Sequence, residues 1–180
     1  MRIINGIHGG RRIIPPSKMP FTRPTTDIAK EGLFNILQNK LDISSLKVLD
    51  LFGGTGCISY EMASRGATDI TVVEKDPRMQ EFIKSTALNL GFQHFKVVKG
   101  DVFRFIETTT DQYDFIFAGP PYALPSIDQL PVKIFKQQIV KKDGWFVLEH
   151  TPRNNYQSFE HYKTERNYGT TIFSIFINDE

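Results

Sequence analysis

The sequence predicts an α/β protein whose sheet is doubly wound and mostly parallel, with one reversed edge strand and a small N-terminal β-hairpin. From residue 46 onward, short β-branched apolar runs alternate with longer segments of helical periodicity, which is typical of βα units. Only Asn167-Tyr168-Gly169 separates the last two strand-like runs, so these must pair antiparallel. A chain of 180 residues is long enough to bury one such sheet.

Turn and cap residues delimit the elements. Two β-branched runs around a glycine-rich middle predict a hairpin in the first 14 residues, and prolines then form a linker. We therefore divide the chain into an N-terminal arm, residues 1–24, and a Rossmann-like domain, residues 25–180. Thr25 or Thr26 can cap a helix that runs to Lys40. Further strands are predicted at 47–51, 70–74, 95–98, 115–118, 145–149, 161–166 and 170–177, and helices at 56–65, 77–90, from 101, and at 127–139.

Charge and composition narrow the kinds of partner. The net charge is only +2, but residues 1–30 hold six basic residues against Asp27 alone. A basic arm on a slightly acidic body favours a polyanion as partner, although it also fits a merely solvated basic end. Cys57 is the single cysteine and the four histidines lack ligand spacing, so we expect neither a disulfide nor a metal. Without a long apolar run or a secretory leader, we expect a cytoplasmic protein that binds no membrane.

The turn after the first strand of the alternating region is rich in glycine, and acidic residues accompany it. The stretch Asp50–Gly56 lacks the Gly-Lys-Ser/Thr of a phosphate loop, and Ser59 stands where a dinucleotide fingerprint has its third glycine. Asp50 would repel a pyrophosphate. Glu74, at the end of the second strand, can accept hydrogen bonds from ribose hydroxyls. Asp101, after the third strand, can accept a hydrogen bond from an adenine amine. Each residue alone fits a plain turn or cap; together they predict a site for S-adenosylmethionine, an adenosine with positive charge and no phosphate.

A double proline ends the fourth apolar strand of this region. Proline cannot donate to a sheet ladder and restricts the preceding residue, so the chain leaves the sheet at Gly119-Pro120-Pro121-Tyr122 in a fixed, extended turn. Ligands of open α/β sheets bind at such strand ends. An aromatic ring and backbone carbonyls there suit a flat base that bears an amine. Strand termination alone is the plainer alternative.

The Pro-Pro-Tyr turn and the two acids resemble the amino-methylating S-adenosylmethionine enzymes, which carry an Asp/Asn-Pro-Pro-Tyr/Phe motif. Three N-terminal segments narrow the resemblance to the RsmD-type family, and it runs over almost the whole chain. These segments are Arg2-Ile3-Ile4-Asn5-Gly6, Gly10-Arg11-Arg12 and Arg23-Pro24-Thr25-Thr26-Asp27. Members of that family methylate the N2 amine of a guanine in small-subunit ribosomal RNA. The resemblance therefore implies that the partner is small-subunit ribosomal RNA or the assembling small subunit.

The same resemblance implies a role for each motif residue. The methionine end of the cofactor would be lined by Asp50, Phe52, Gly53, Gly54 and Gly56, with Glu74 on the ribose and Asp101 on the adenine. The target base would lie against Gly119, Pro120, Pro121 and Tyr122. The RNA phosphates would be held by Arg2, Arg11, Arg12 and Arg23.

Gly119 departs from the motif, because it has no side chain that could accept an amine hydrogen. A charge-assisted hydrogen bond contributes about 1.5–3 kcal/mol, so its loss would slow transfer roughly 10- to 100-fold. Three explanations fit a glycine at this position. The protein is a weak or inactive relative, another group replaces the acceptor, or the residue has been changed from the natural one. The rival functions are an adenine-N6 nucleic-acid methyltransferase and a non-catalytic ribosome-assembly factor that binds cofactor and RNA.

Overall fold

A seven-stranded sheet with helices on both faces forms the body of the protein. The computed structural model describes residues 1–18 and 25–180. The strands are β1 (Lys47–Leu51), β2 (Asp69–Glu74), β3 (Phe95–Lys99), β4 (Tyr113–Ala118), β5 (Val140–His150), β6 (Tyr162–Tyr168) and β7 (Thr171–Ile177). The helices of the described segments are α1 (Asp27–Lys40), α2 (Cys57–Ser64), α3 (Pro77–Asn89), α4 (Val102–Thr108) and α5 (Gln129–Lys136).

The strand order is β3-β2-β1-β4-β5-β7-β6. Strands β1 to β5 pair in parallel, whereas β7 runs antiparallel to both of its neighbours, β5 and β6. The predicted doubly wound, mostly parallel class is therefore confirmed. The reversed strand lies one position inside the edge, because β7 is buried along nearly its whole length and β6 carries the polar, half-exposed pattern of an edge strand.

Side chains alternate between the two faces of the sheet and give each face its own core. In β1, Val48 packs into one apolar cluster, and Leu49 and Leu51 pack into the other. Helices α1 to α3 cover the first face and α4 and α5 cover the second, which is the doubly wound arrangement. Helix α1 starts at a cap that the sequence predicts, since the Thr26 hydroxyl accepts a hydrogen bond from the Ala29 amide.

Strand β5 begins at Val140, earlier than the predicted Trp145. Three polar residues, Lys141, Lys142 and Asp143, follow Val140, and the pairing of β5 with β4 shifts register between Tyr113 and Phe115. An irregular start of this kind does not show the apolar run by which strands are recognised in sequence.

The N-terminal arm folds back on itself and packs onto the body. Its hairpin pairing is a single antiparallel bridge between Arg2 and Arg12. Ile3 and Ile13 are buried in the core of the first face, which fixes the arm against α1 and α2. Residues 19–24, with the linker proline Pro20 and the boundary at residue 24, lie outside the described residues. Within residues 1–18 and 25–180, no helix has the length and apolar character needed to cross a membrane.

Candidate active site

A cavity of about 750 Å³ opens at the carboxyl ends of the five parallel strands. This is the edge of an open α/β sheet where ligands bind, and the volume is typical of a small-molecule pocket. Six of the predicted cofactor residues line it, namely Asp50, Phe52, Gly53, Gly54, Glu74 and Asp101. The motif residues Gly119, Pro120, Pro121 and Tyr122 line it as well. The structure thus brings two motifs that are far apart in sequence into one cavity.

The glycine turn after β1 fits closely against β2. The Gly53 amide donates to the Val73 carbonyl at 3.0 Å, and a Cβ on Gly53 would stand only 2.3 Å from the Val72 side chain. Gly54 takes a left-handed conformation, with φ of 57°, and its amide donates to the Glu74 carboxylate at 2.7 Å. Packing of this turn, and not only ligand approach, therefore requires glycine.

Gly56, the other glycine predicted to contact the cofactor, does not line the cavity. It precedes α2 with φ of 82°, and a Cβ there would meet the Tyr60 ring at 2.6 Å. A glycine is required here by the left-handed conformation before the helix and by the buried Tyr60 ring.

Asp50 is a buried acid at the centre of the cavity wall. Its residue is 2% exposed, and its carboxylate accepts a hydrogen bond of 2.6 Å from the Ser59 hydroxyl. Burial raises the pKa of Asp50 to about 7; the negative charges of Glu74 and Glu149 act in the same direction, and the Ser59 bond opposes them. A cation bound beside Asp50 would favour its ionised form.

Glu74 and Asp101 are held in place by backbone amides. The Glu74 carboxylate accepts from the amides of Gly54, Lys75 and Asp76 at 2.7 to 3.0 Å, which fixes its orientation at the end of β2. Asp101 caps α4 by accepting from the Arg104 amide at 3.1 Å. Both residues therefore have the cap-like role considered from sequence, and both still face the cavity.

The cavity is strongly acidic. Of the described residues that line it, five are acidic and one, Lys75, is basic. Such a wall attracts a cation and repels phosphate. Among residues 1–18 and 25–180 we find no group of three or more His, Cys, Asp or Glu side chains arranged to hold a metal ion.

Glu149, at the end of β5, is a cavity residue that the sequence reasoning missed. It is 6% exposed, and its carboxylate accepts from the Thr25 hydroxyl at 2.8 Å and from the Tyr122 hydroxyl at 3.0 Å. An acid that follows four apolar residues at a strand end was the available signal. Glu149 therefore connects the start of α1 to the Pro-Pro-Tyr turn.

The predicted RNA-binding arginines divide into three kinds. Arg11 and Arg12 are exposed on the arm. Arg2 is half-exposed and pairs with Asp27 at 2.9 Å, in the first turn of α1. Arg23 lies outside the described residues. Since Thr25, two residues before Asp27, lines the cavity, the arm lies beside the start of a helix that borders the site.

A doubly wound sheet in this strand order, with an acidic cavity suited to a cationic nucleoside at its carboxyl edge, defines an S-adenosylmethionine-dependent methyltransferase. The comparisons with known proteins agree. Ribosomal RNA small subunit methyltransferase D of Buchnera aphidicola (subsp. Baizongia pistaciae) is 26% identical over 186 residues, which cover 99% of this chain and 92% of the relative. The protein of that name in Escherichia coli K12 is 34% identical over 150 residues, or 83% and 71% of the two chains.

The fold has a close counterpart among solved structures. The Escherichia coli protein yhhF superposes with a TM-score of 0.86 at 22% identity, and the match covers 99% of this chain and 98% of that one. The family model described as "Conserved hypothetical protein 95" matches residues 1–177. The chain belongs to this family, the RsmD family, as its N-terminal and Pro-Pro-Tyr motifs predict.

Proposed function

We propose that this protein transfers a methyl group from S-adenosylmethionine to the exocyclic N2 amine of a guanine in small-subunit ribosomal RNA. The observation that carries the proposal is the meeting of two motifs in one acidic cavity, the glycine turn with its acids and the Pro-Pro-Tyr turn. Relatives named ribosomal RNA small subunit methyltransferase D support ribosomal RNA as the substrate class. The choice of guanine N2 as the methylated atom rests on the resemblance of the N-terminal motifs to those of the family.

The residues present fit the cofactor. Asp50 would hold the positively charged methionine end, and Glu74, already fixed by backbone amides, would accept from the ribose hydroxyls. Asp101 would face the adenine. S-adenosylmethionine, when bound, supplies an electrophilic methyl group on a sulfonium. The turn after β1 lacks the Gly-Lys-Ser/Thr of a phosphate loop, and the described lining of the cavity is acidic; both features suit a ligand without phosphate.

The Pro-Pro-Tyr turn would position the base. An exocyclic amine is a poor nucleophile because its lone pair is delocalised into the ring, so it must be oriented toward the methyl group and its developing charge stabilised. Gly119, Pro120, Pro121 and Tyr122 line the cavity, and the Tyr122 hydroxyl donates to the Glu149 carboxylate at 3.0 Å, which holds the Tyr122 ring in place. A base taken out of its stack can lie against that ring.

Methyl transfer to small ribosomal subunits that lack the modification tests this function. With tritiated S-adenosylmethionine and nucleoside analysis, the expected product is N2-methylguanosine, and fully modified subunits should accept no label. N6-methyladenosine would instead support the rival adenine enzyme. Cofactor binding without transfer to any RNA would support the non-catalytic assembly factor.

Replacing both Arg11 and Arg12 with alanine should weaken RNA binding without changing cofactor affinity. Both side chains are exposed on the arm, where they can neutralise phosphates. The binding constant falls as salt rises, and each phosphate contact contributes roughly 0.7 to 0.9 to the steepness of log K against log salt. The plot of the double variant should therefore be less steep by about 1.5. Filter binding across a salt series measures it.

Lys142→Ala provides the matched control. Lys142 is exposed near the amino end of β5, whereas the cavity lies at the carboxyl ends of the parallel strands. Its replacement should leave the salt slope unchanged. An unchanged slope in the arginine double variant would contradict a role of the arm in RNA binding.

A further inference from the structure

Ser59, in the first turn of α2, contacts the buried acid of the cavity wall. Its hydroxyl donates to the Asp50 carboxylate at 2.6 Å, and the two residues are 0% and 2% exposed. We propose that Ser59 is a positioning residue for the cofactor, because its hydroxyl holds the Asp50 carboxylate where that acid meets the positively charged methionine end of S-adenosylmethionine. The proposal rests on the role of Asp50 in the function proposed above and deepens it.

The local fold explains why the two side chains meet. Asp50 lies near the end of β1, the glycine turn follows it, and α2 begins at Cys57, so the chain returns to the acid nine residues later. The N-cap of α2 is Gly56, which makes no side-chain bond to the helix amides. Asp50 brings a carboxylate to this end of the helix instead, where the helix dipole favours negative charge.

The residue type at position 59 suits this role. A dinucleotide fingerprint has glycine here so that the helix can pack closely on the strand, and a glycine would offer Asp50 no side-chain donor. A serine hydroxyl has a single hydrogen to donate, so the bond to Asp50 uses the whole donor capacity of this side chain. A serine inside a helix often bonds to nearby backbone, whereas this one is directed at the acid of the cavity.

Asp50 depends on such a donor because its surroundings oppose its negative charge. Burial raises the pKa of Asp50, and the charges of Glu74, at the end of β2, and Glu149, at the end of β5, raise it further. The hydroxyl and the backbone amide of Ser59 lower that pKa. Ser59 therefore keeps a larger share of Asp50 ionised near neutral pH, and the ionised form is the one that attracts a cation.

Two further titratable groups face Asp50 from α2, the Cys57 thiol and the Tyr60 hydroxyl. Burial raises the pKa of each above its ordinary value, so both stay largely neutral from pH 6 to pH 9. The residues aligned with Asp50 in the neighbouring strands, Val72 and Phe117, are apolar. A change of charge at Asp50 can therefore be followed across this range.

The pH dependence of cofactor affinity tests the proposal. Ser59→Ala removes a hydrogen bond to a charged group, which should raise the pKa of Asp50 by about 1 to 2. Binding of S-adenosylhomocysteine, which keeps the ammonium group of the methionine end, should then weaken roughly 5- to 50-fold at pH 7 but about twofold or less at pH 9. Isothermal titration calorimetry at pH 6, 7, 8 and 9 gives the ratio of variant to wild type, from which titration of the ligand cancels.

Ser64→Ala is the matched control. Ser64 is a second buried serine of α2, but it lies at the other end of the helix, and its hydroxyl donates to the Asn5 carbonyl of the arm at 2.7 Å. Its affinity ratio to wild type should stay close to one at every pH. An equal loss at all four pH values in Ser59→Ala would mean a purely structural role, and an unchanged affinity at pH 7 would mean that Asp50 needs no donor. Either result overturns the proposal.

A direct titration keeps this proposal separate from the proposed function. The carbon-13 signal of the Asp50 carboxyl in the free protein should titrate at higher pH in Ser59→Ala than in the wild type, and an unmoved midpoint overturns the proposal. Wild-type affinity in Asp50→Asn would overturn the role of Asp50 and this proposal with it. Because cofactor binding needs no RNA, a pH-dependent loss in Ser59→Ala without methylation of any RNA supports Ser59 and rejects the proposed function.

Discussion

Replacing Asp50 with asparagine is expected to weaken S-adenosylmethionine binding roughly 30- to 4,000-fold, because removing one partner of a buried charge pair costs about 2–5 kcal/mol. Asp50 is the most deeply buried acid of the cavity, so solvent screens its charge least. Because its pKa is raised to about 7, wild-type affinity should also fall as pH drops from 8 to 6, since protonation removes the charge that attracts the ligand. Isothermal titration calorimetry at both pH values measures the two effects.

The same substitution should stabilise the protein without ligand at high pH. The pKa of Asp50 is raised from 3.8 to about 7 by burial, so the folded state holds its proton more tightly than the unfolded state. That contribution to stability is fully present below pH 3.8 and is lost as pH rises through 7. Between pH 6 and pH 8 the free energy of unfolding of the wild type should therefore fall by about 1.4 kcal/mol relative to Asp50→Asn.

Urea unfolding at several pH values checks this expectation. Asp111→Asn is the control, because Asp111 is an exposed acid paired with Lys47 at the protein surface. Its stability should run parallel to that of the wild type between pH 6 and pH 8. If the Asp50→Asn curve also runs parallel, the raised pKa of Asp50 is wrong.

Replacing Glu61 with glutamine is expected to lower the free energy of unfolding by about 3–5 kcal/mol, because it leaves buried cations without their counter-charge. Glu61 is fully buried, with Arg65 Nε at 2.9 Å and Lys30 Nζ at 3.6 Å. Its two oxygens also accept from the amides of Ile4 and Asn5 in the arm. A glutamine turns one of those oxygens into a donor that faces other donors.

The Glu61→Gln substitution should loosen the N-terminal arm as well as destabilise the core. Hydrogen exchange of the Ile4 and Asn5 amides should accelerate in Glu61→Gln, and RNA affinity should fall with it. Glu107→Gln is the matched control: Glu107 forms an exposed pair with Lys133, and such pairs contribute about 0–1 kcal/mol. Equal unfolding midpoints of Glu61→Gln and wild type would contradict the role of Glu61 in holding the arm and the buried cations in place.

The sequence predicts well what depends on local chemistry. The bounds of β1 follow from an apolar run, and the start of α3 follows from Pro77 in its first turn. The meeting of the glycine turn with the Pro-Pro-Tyr turn is also predictable, since the carboxyl ends of parallel strands share one edge of a sheet.

The rest depends on contacts between distant segments. Glu149 gains its place beside Gly119 from the register of two strands, which no local pattern records. Glu61 looks like an ordinary solvent-facing acid of a helix until the arm and Lys30 are packed over it. Gly56 has the sequence context of a ligand-binding glycine, and only the buried Tyr60 ring beneath it shows a packing role.

Under the proposed function, the charges of the arm and of the cavity act on different parts of an RNA strand. The exposed side chains of Arg11 and Arg12 would attract the sugar–phosphate backbone, whereas the described charged residues of the cavity, five acids and one lysine, would repel it. An uncharged base would therefore enter the cavity more readily than a phosphate. The two charged regions would orient a nucleotide with its base inward, and added salt should weaken that orientation as well as the affinity.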